Sequence, residues 1–503
     1  MMSSGLLKRI LKFGQIDLSK IFLYLLIIFL PVQTRKIFFT DSSDFFGYHV
    51  FYNTLYLYLT DILFFGLILV WFLKSALFPR EKSQIIHKIV TRIQQDSIYR
   101  YFLVFWLILG ISVIFSRENI LALYGFAKIT QFLLIFAYVR ENVNFSREKT
   151  LIFSLIVGTF TLQSIIGIVQ YVGQSSLGLT ILGEEFLRPG LRGIAEFSGN
   201  GVLNPLFYDF FPYLKRISNE ILNMRAYGTL PHPNVLAGLL FAGLMTNLYL
   251  VYFSREKWAK LILGVSFVCI FTGLIATFSR FAWVAVFFAV VFWFFLVFVK
   301  IRRPALESMR TGSRTQEQIS YFPGKVVLIT ILVLISVGFN IFWFGSQVED
   351  RIFSSTAIRS DQGKGLDQSL VDRQTFNSIA LNMIGQEWVL GVGWKNFVVV
   401  MDDFSREKLL PFMHQPVHNI FLLIAAEAGI FALAFFVLAV YNIVRRSKNA
   451  LPEPILRYTL LIILGGFLGL GLTDHYTLTI QQGSLIFWLT LGFLANQKGA
   501  AAP

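Results

Sequence analysis

The chain of 503 residues contains one cysteine, Cys269, and only 15% of it is charged. A single thiol excludes an intramolecular disulfide, a CxxC zinc site and an iron–sulfur cluster. Acidic residues are the scarcer sign, 29 against 44 Lys and Arg, which leaves a net charge of +15. What fills the chain instead is apolar: 55% of residues are hydrophobic and mean hydropathy is +0.64. That lies well above the share typical of soluble domains and excludes a water-soluble globular protein. In so apolar a chain the cationic excess belongs in loops facing an anionic lipid surface, because loop charge sets membrane topology. No nucleic-acid partner is expected.

Apolar stretches long enough to cross a hydrocarbon core of ~30 Å recur from end to end. They cover about 17–34, 54–77, 99–116, 119–139, 150–172, 234–253, 258–279, 281–300, 325–345, 419–444, 455–473 and 479–496. In lipid such spans must be helices, since every backbone polar group has to be satisfied internally. The expectation is therefore an all-α, polytopic membrane bundle of about twelve helices. The stretch 21–32 follows Lys8, Arg9, Lys12 and Lys20 but continues into Gln33, Thr34, Arg35 and Lys36 without a small-residue cleavage site. A retained first helix is expected there.

With both termini cytoplasmic, twelve crossings put the cations at 80–92, 140–149, 255–257, 300–314 and 445–448 on the inner side, as the positive-inside rule requires. The chain then divides into helices 1–5 over 1–172, an outer segment 173–233, helices 6–9 over 234–345, an outer segment 346–418 and helices 10–12 over 419–503. Both outer segments contain apolar clusters, Pro205 to Phe211 and Trp388-Val389-Leu390, and are expected to be partly helical and to hug the membrane. Phe-Ser-Arg-Glu at 115–118, 145–148, 253–256 and 404–407, with Phe-Pro-Arg-Glu at 78–81, recurs without a fixed period and falls on both faces. These copies are expected to be connectors.

Three outer constellations bear on chemistry. The first is Arg225-Ala226-Tyr227-Gly228-Thr229-Leu230-Pro231-His232-Pro233-Asn234, where two prolines and a glycine forbid helix and Asn234 is placed to cap the span that follows. The second is Ser279-Arg280, a tight turn between two spans. An Arg held at the outer surface against the positive-inside bias calls for an anion, and its fork matches phosphate oxygens; snorkelling to lipid head groups is the alternative. The third leads from Asp372-Arg373 through Leu390-Gly391-Val392-Gly393 to Pro416-Val417-His418-Asn419. A His at a wet interface titrates nearest neutrality and can take a proton from a hydroxyl; a plain helix-entry residue is the alternative. His232, His414 and Asp474-His475 lie on the same face. The charges inside spans are Asp61, Lys128 and Glu427, too scattered for an ion path, and Glu427 is read as pairing within the bundle. No metal-ligand spacing stands out on the outer face, so neither metal nor cofactor is expected.

These constellations, together with Trp394-Lys395-Asn396-Phe397, Ile420-Phe421-Leu422 and Glu427-Ala428-Gly429, resemble the O-antigen ligase and polymerase family of bacterial polytopic glycosyltransferases over about 225–430. The resemblance implies a polyprenyl-diphosphate-linked glycan as donor, transferred on the outer face of the inner membrane to a hydroxyl of lipid A core, another glycan or a protein. It implies His418 as general base, Arg225, Arg280 and Arg373 as diphosphate contacts, and His232, Asn234, Asn419 and Glu427 as supporting residues. Direct displacement would invert the anomeric centre. Ligase, polymerase and protein O-glycosyltransferase share these motifs. The rival from another class is a transporter, which predicts internal repeats and helices broken at the midplane.

Overall fold

Backbone polar groups that cannot reach water close their hydrogen bonds within helices, and each of the twelve apolar stretches overlaps a helix in the computed structural model of the chain, although the first holds only Leu18–Ile28. The structure describes residues 17–45, 47–77, 93–191, 193–198, 222–311, 316–353 and 368–496. The cluster Pro205 to Phe211, the copy at 78–81, and the cations at 80–92 and at 314 lie outside them.

In chain order the elements are α1 (Leu18–Ile28), β1 (Arg35–Phe38), β2 (Asp44–Phe45), β3 (Tyr48–His49), β4 (Leu55–Tyr58), α2 (Leu59–Leu77), α3 (Ser97–Ile114), α4 (Asn119–Asn142) and α5 (Phe145–Gly173). There follow β5 (Glu196–Ser198), β6 (Leu222–Met224), α6 (Pro233–Phe253), α7 (Lys257–Ala276), α8 (Arg280–Thr311), α9 (Gln316–Phe353), α10 (Gln368–Gln386), α11 (Phe397–Phe404), α12 (Ile420–Ala450), α13 (Pro454–Leu470), α14 (Tyr476–Thr479) and α15 (Gln481–Leu494). Eight of the described helices are long and apolar enough to cross a membrane: α3 to α9 and α12. Long apolar side chains stand exposed along α8 and α9, among them Phe287 (62%), Phe288 (64%) and Leu334 (64%). Soluble monomers do not present such faces; this is a multi-pass helical membrane protein.

Among the described residues the strands form three two-stranded antiparallel pairs, β1 with β4, β2 with β3 and β5 with β6. The second span accordingly begins at Leu59 and not at 54, because Leu55–Tyr58 pairs residue for residue with Arg35–Phe38. The Phe-Ser-Arg-Glu copies sit where helices meet. Phe115 closes α3 and Glu118 precedes α4, while Ser254 closes α6 and Glu256 precedes α7.

The chain divides into two compact units. The first comprises residues up to Glu148, Ser369–Pro452 and Gly471 onward. In it α3 packs along α12, α4 on α15 and α1 on α2. One end of these helices carries ion pairs: Lys20 with Glu148 (2.5 Å), Lys74 with Asp17 (2.6 Å), and Asp96 with both Arg140 and Arg446. The lone charges Asp61 and Lys128 pair at 2.5 Å, and Gln131 and Gln481 donate to the same carboxylate at 2.9 and 2.8 Å.

The second unit comprises Lys149–Gln368 and Glu453–Leu470. At its centre runs α6, whose entire apolar window is buried, against 17% for that of α9. Helices α7, α8, α9 and α13 pack around it. Glycines permit the closest approaches: a Cβ at Gly273 would lie 2.7 Å from that of Ser164 on α5.

Candidate functional site

In the second unit the Arg225–Asn234 segment is held by two glutamines of α5. Gln170 accepts from the Gly228 amide (2.8 Å) and donates to its carbonyl (2.7 Å); Gln163 accepts from the Thr229 amide (2.9 Å). Gly228 adopts φ +62°, and a Cβ there would stand 2.5 Å from Gln163 Oε1, so glycine is required by both conformation and space. The helix cap differs from expectation. His232, not Asn234, caps α6: its Nδ1 accepts from the Asn234 amide at 3.1 Å, and Pro233, which has no N–H to satisfy, takes the first helical position. Asn234 instead turns its Oδ1 to the Arg225 guanidinium at 2.8 Å.

The same guanidinium donates through Nε to the carbonyl of Thr277 at 2.6 Å, tying the segment to the α7–α8 turn. That turn spans Thr277 to Ser279, and Arg280 is the first residue of α8. Phe278 holds φ +47°, a conformation costing a non-glycine residue roughly 1–2 kcal/mol. Its buried ring offsets this by packing on Phe197 (centroids 4.2 Å) and Tyr171 (5.2 Å). A third cation, Arg351 at the end of α9, donates through Nε to the Phe278 carbonyl at 3.4 Å. Arg225, Arg280 and Arg351 thus gather where a long helix begins. A helix N-terminus carries a partial positive charge and free N–H groups, so cations added there favour an anion. Arg351 was missed in the sequence, its only signal being the charged run Glu349-Asp350-Arg351 after an apolar stretch. Gln163 and Gln170 were missed too, although two glutamines seven apart on an apolar helix share one face.

The first unit holds His418, Asn419, Glu427 and Arg373. Asn419 caps α12, its Oδ1 accepting from the amides of Phe421 (2.9 Å) and Leu422 (3.1 Å). His418 precedes the cap. Its ring stacks on Phe376 (5.8 Å, 14°) and meets His475 edge-on (5.0 Å, 67°), while His475 in turn meets Tyr52 (5.2 Å). Nδ1 of His418 is enclosed and has no hydrogen-bond partner among the described residues. Burial pushes the imidazole below its ordinary range; Asp474 opposes this, Arg373 adds to it and Asp372 opposes it. Burial thus favours the neutral, proton-accepting form of His418. His475, by contrast, is tied through Nδ1 to Thr479 Oγ1 at 2.6 Å, and His414 through Nε2 to Asp402 at 3.0 Å.

Glu427 serves the backbone. Its carboxylate accepts from the amides of Lys395 (2.9 Å) and Phe397 (3.1 Å). Two residues on, α12 breaks at Gly429 (φ +83°), which frees the carbonyls of Ala426 and Glu427; these accept instead from Val392 (2.9 Å) and Gly393 (3.0 Å). The Ile430 amide completes the joint by donating to Trp388 O at 2.9 Å. A Cβ at Gly429 would lie 2.0 Å from Val389 O, and one at Gly391 would lie 2.3 Å from the Glu427 carbonyl carbon. The glycine-rich turn is thus a plug for a broken helix, which explains why Leu390–Phe397 and Glu427–Gly429 occur together.

Residues 265–437, about a third of the chain, match the family model described as O-antigen ligase. The matched stretch includes Arg280, Arg373, His418, Asn419 and Glu427, and starts after Arg225, His232 and Asn234. No curated protein matches the chain.

Proposed function

We propose that the protein transfers a glycan from a polyprenyl diphosphate carrier to an acceptor hydroxyl, of lipid A core or another glycoconjugate, on the outer face of a bacterial inner membrane, with both termini cytoplasmic. The observation that carries this reading is His418: an imidazole between Phe376 and His475 whose enclosed Nδ1 has no hydrogen-bond partner among the described residues. His418 takes the proton of the acceptor hydroxyl as that oxygen attacks the anomeric carbon, a role typically worth 10²–10⁴ in rate. The bond from that carbon to the diphosphate oxygen breaks, its electron pair stays on the leaving group, and the anomeric configuration inverts. Arg225 and Arg280 hold the diphosphate, whose growing charge preorganised cations stabilise most where water is scarce. Arg373 is a third anion contact and also disfavours protonation of His418. Every step is one of proton transfer and charge stabilisation, and needs no metal.

The test is transfer in proteoliposomes from a lipid-diphosphate-linked glycan, with chelator throughout, comparing the native chain with His418→Ala and Arg280→Ala. Loss of transfer in both variants, with insertion intact, supports the reading, and the acceptor that works separates ligase from polymerase or protein O-glycosyltransferase. Full transfer by His418→Ala removes the general base. No transfer to any acceptor by the native chain removes the enzyme and favours a transporter.

A further inference from the structure

The first unit contains a cavity of about 70 Å³ that the chemistry above does not use. Its lining comes from corresponding ends of several elements: β4, the first turns of α4, α12 and α15, and the turn Trp394-Lys395. These are the ends opposite the Asp96–Arg140–Arg446 ion pairs. Tyr52, Tyr56 and Tyr124 supply aromatic walls. Lys395 is inserted against Tyr124, its Nζ 5.8 Å from the ring centroid, and uses one donor on the carbonyl of Tyr52 at 3.0 Å.

Two features mark the cavity as built for a polar guest. Lys128 on its wall is neutralised by Asp61, whereas Lys395 has no carboxylate within ion-pair distance among the described residues. The Glu427 carboxylate nearby is already occupied by two backbone amides. In addition, Trp394 Nε1 and Ser484 Oγ, both on lining residues, are buried without a partner among the described residues. Buried polar atoms without partners are costly, and unmatched donors call for a guest that brings oxygen lone pairs. Burial pushes Lys395 down to about 8, Glu427 opposing and Lys128 adding, so at neutral pH the ammonium still donates.

We propose that this cavity is a glycan subsite that takes the edge of a pyranose ring, its apolar C–H face against the tyrosines and its hydroxyl, carbonyl or carboxylate oxygens on Lys395, Trp394 and Ser484. Amphipathic aromatics with a few convergent polar groups suit such a ring. The cavity reaches Thr479, which holds His475, which packs on His418. Assigning the ring to the acceptor rests on the transfer reading; the binding itself does not.

The test is saturation-transfer NMR on the full chain in nanodiscs with three probes: methyl β-glucopyranoside, methyl N-acetyl-β-glucosaminide and methyl β-glucuronide. At least one should bind, with a Kd on the order of 1–10 mM. Binding should weaken by about tenfold or more, close to 1.4 kcal/mol, in Lys395→Gln and in Ser484→Met, the latter filling the space without touching the lysine. Preference for the glucuronide identifies a carboxylate on Lys395, and preference for a neutral glycoside identifies hydroxyl or carbonyl oxygens; either supports the subsite. Absence of binding by all three, or binding unaltered in both variants with native unfolding temperature, overturns it. Because the readout is binding, its failure leaves the transfer reading standing, and failure of transfer leaves the subsite standing.

Discussion

The rings of His418 and His475 meet edge to face with centroids 5.0 Å apart, and only His475 has a hydrogen bond that fixes its Nδ1. Of the two, His418 is thus the one whose Nδ1 is not committed to the protein.

The pH profile follows from that environment. Burial lowers the His418 pKa from 6.5, so the base is lost only as pH falls through a value below 6.5. Transfer rate should rise with pH from the acid side, with its midpoint below 6.5. Asp474→Asn should move the midpoint further to acid and Arg373→Gln back towards neutral, since the carboxylate raises the pKa and the guanidinium lowers it. Stability has the same sign. Between the two pKa values the unfolded chain binds more protons than the folded one, so stability rises with pH across that window. A midpoint above 6.5 in the rate profile counts against the assignment.

His232 and His418 separate by role. His232→Asn keeps a capping side chain and should leave unfolding temperature and transfer near native values, while His232→Ala should cost ~1 kcal/mol of stability. His418→Asn should keep the fold and lose transfer by 10² or more. Thermal unfolding and single-turnover transfer on the same preparations distinguish the two.

Glu427→Ala leaves the buried amides of Lys395 and Phe397 without an acceptor. A loss of about 2–5 kcal/mol is expected, from two unsatisfied donors. Transfer per folded molecule should change far less than unfolding temperature. The reverse pattern would make Glu427 a participant in the reaction.

Gly429→Ala drives a Cβ to 2.0 Å from Val389 O at φ +83°, so one of the two chains must move. The variant should lose ~3 kcal/mol or more and elute as aggregate in detergent. Gly469→Ala in α13, with open space around its Cβ, should stay within about 1 kcal/mol of native.

Arg225→Lys removes the fork that binds Thr277 O and Asn234 Oδ1 together. A lysine, as a point charge, cannot make both bonds in that geometry. Donor KM should rise, with transfer falling by about tenfold or more; an unchanged KM would assign Arg225 to structure alone.

The sequence by itself determined the class of molecule. Apolar runs of spanning length have no other way to satisfy their backbones than as helices, and eight of the described helices are long and apolar enough to cross a membrane. Gly228, Gly391 and Gly429 could be noticed there, and so could Arg280 and His418 at the ends of spans. The tertiary structure decided which neighbours those residues have. Hydrogen bonds over long sequence separations, from Gln170 to Gly228 and from Ser112 to the Glu427 carbonyl, leave no periodicity to read. For the same reason the cap fell to His232, the glycine turn became a plug for α12, Asp61 found Lys128, and Arg351 joined the α8 turn. Local pattern reports what a residue needs; only packing reports which distant residue supplies it.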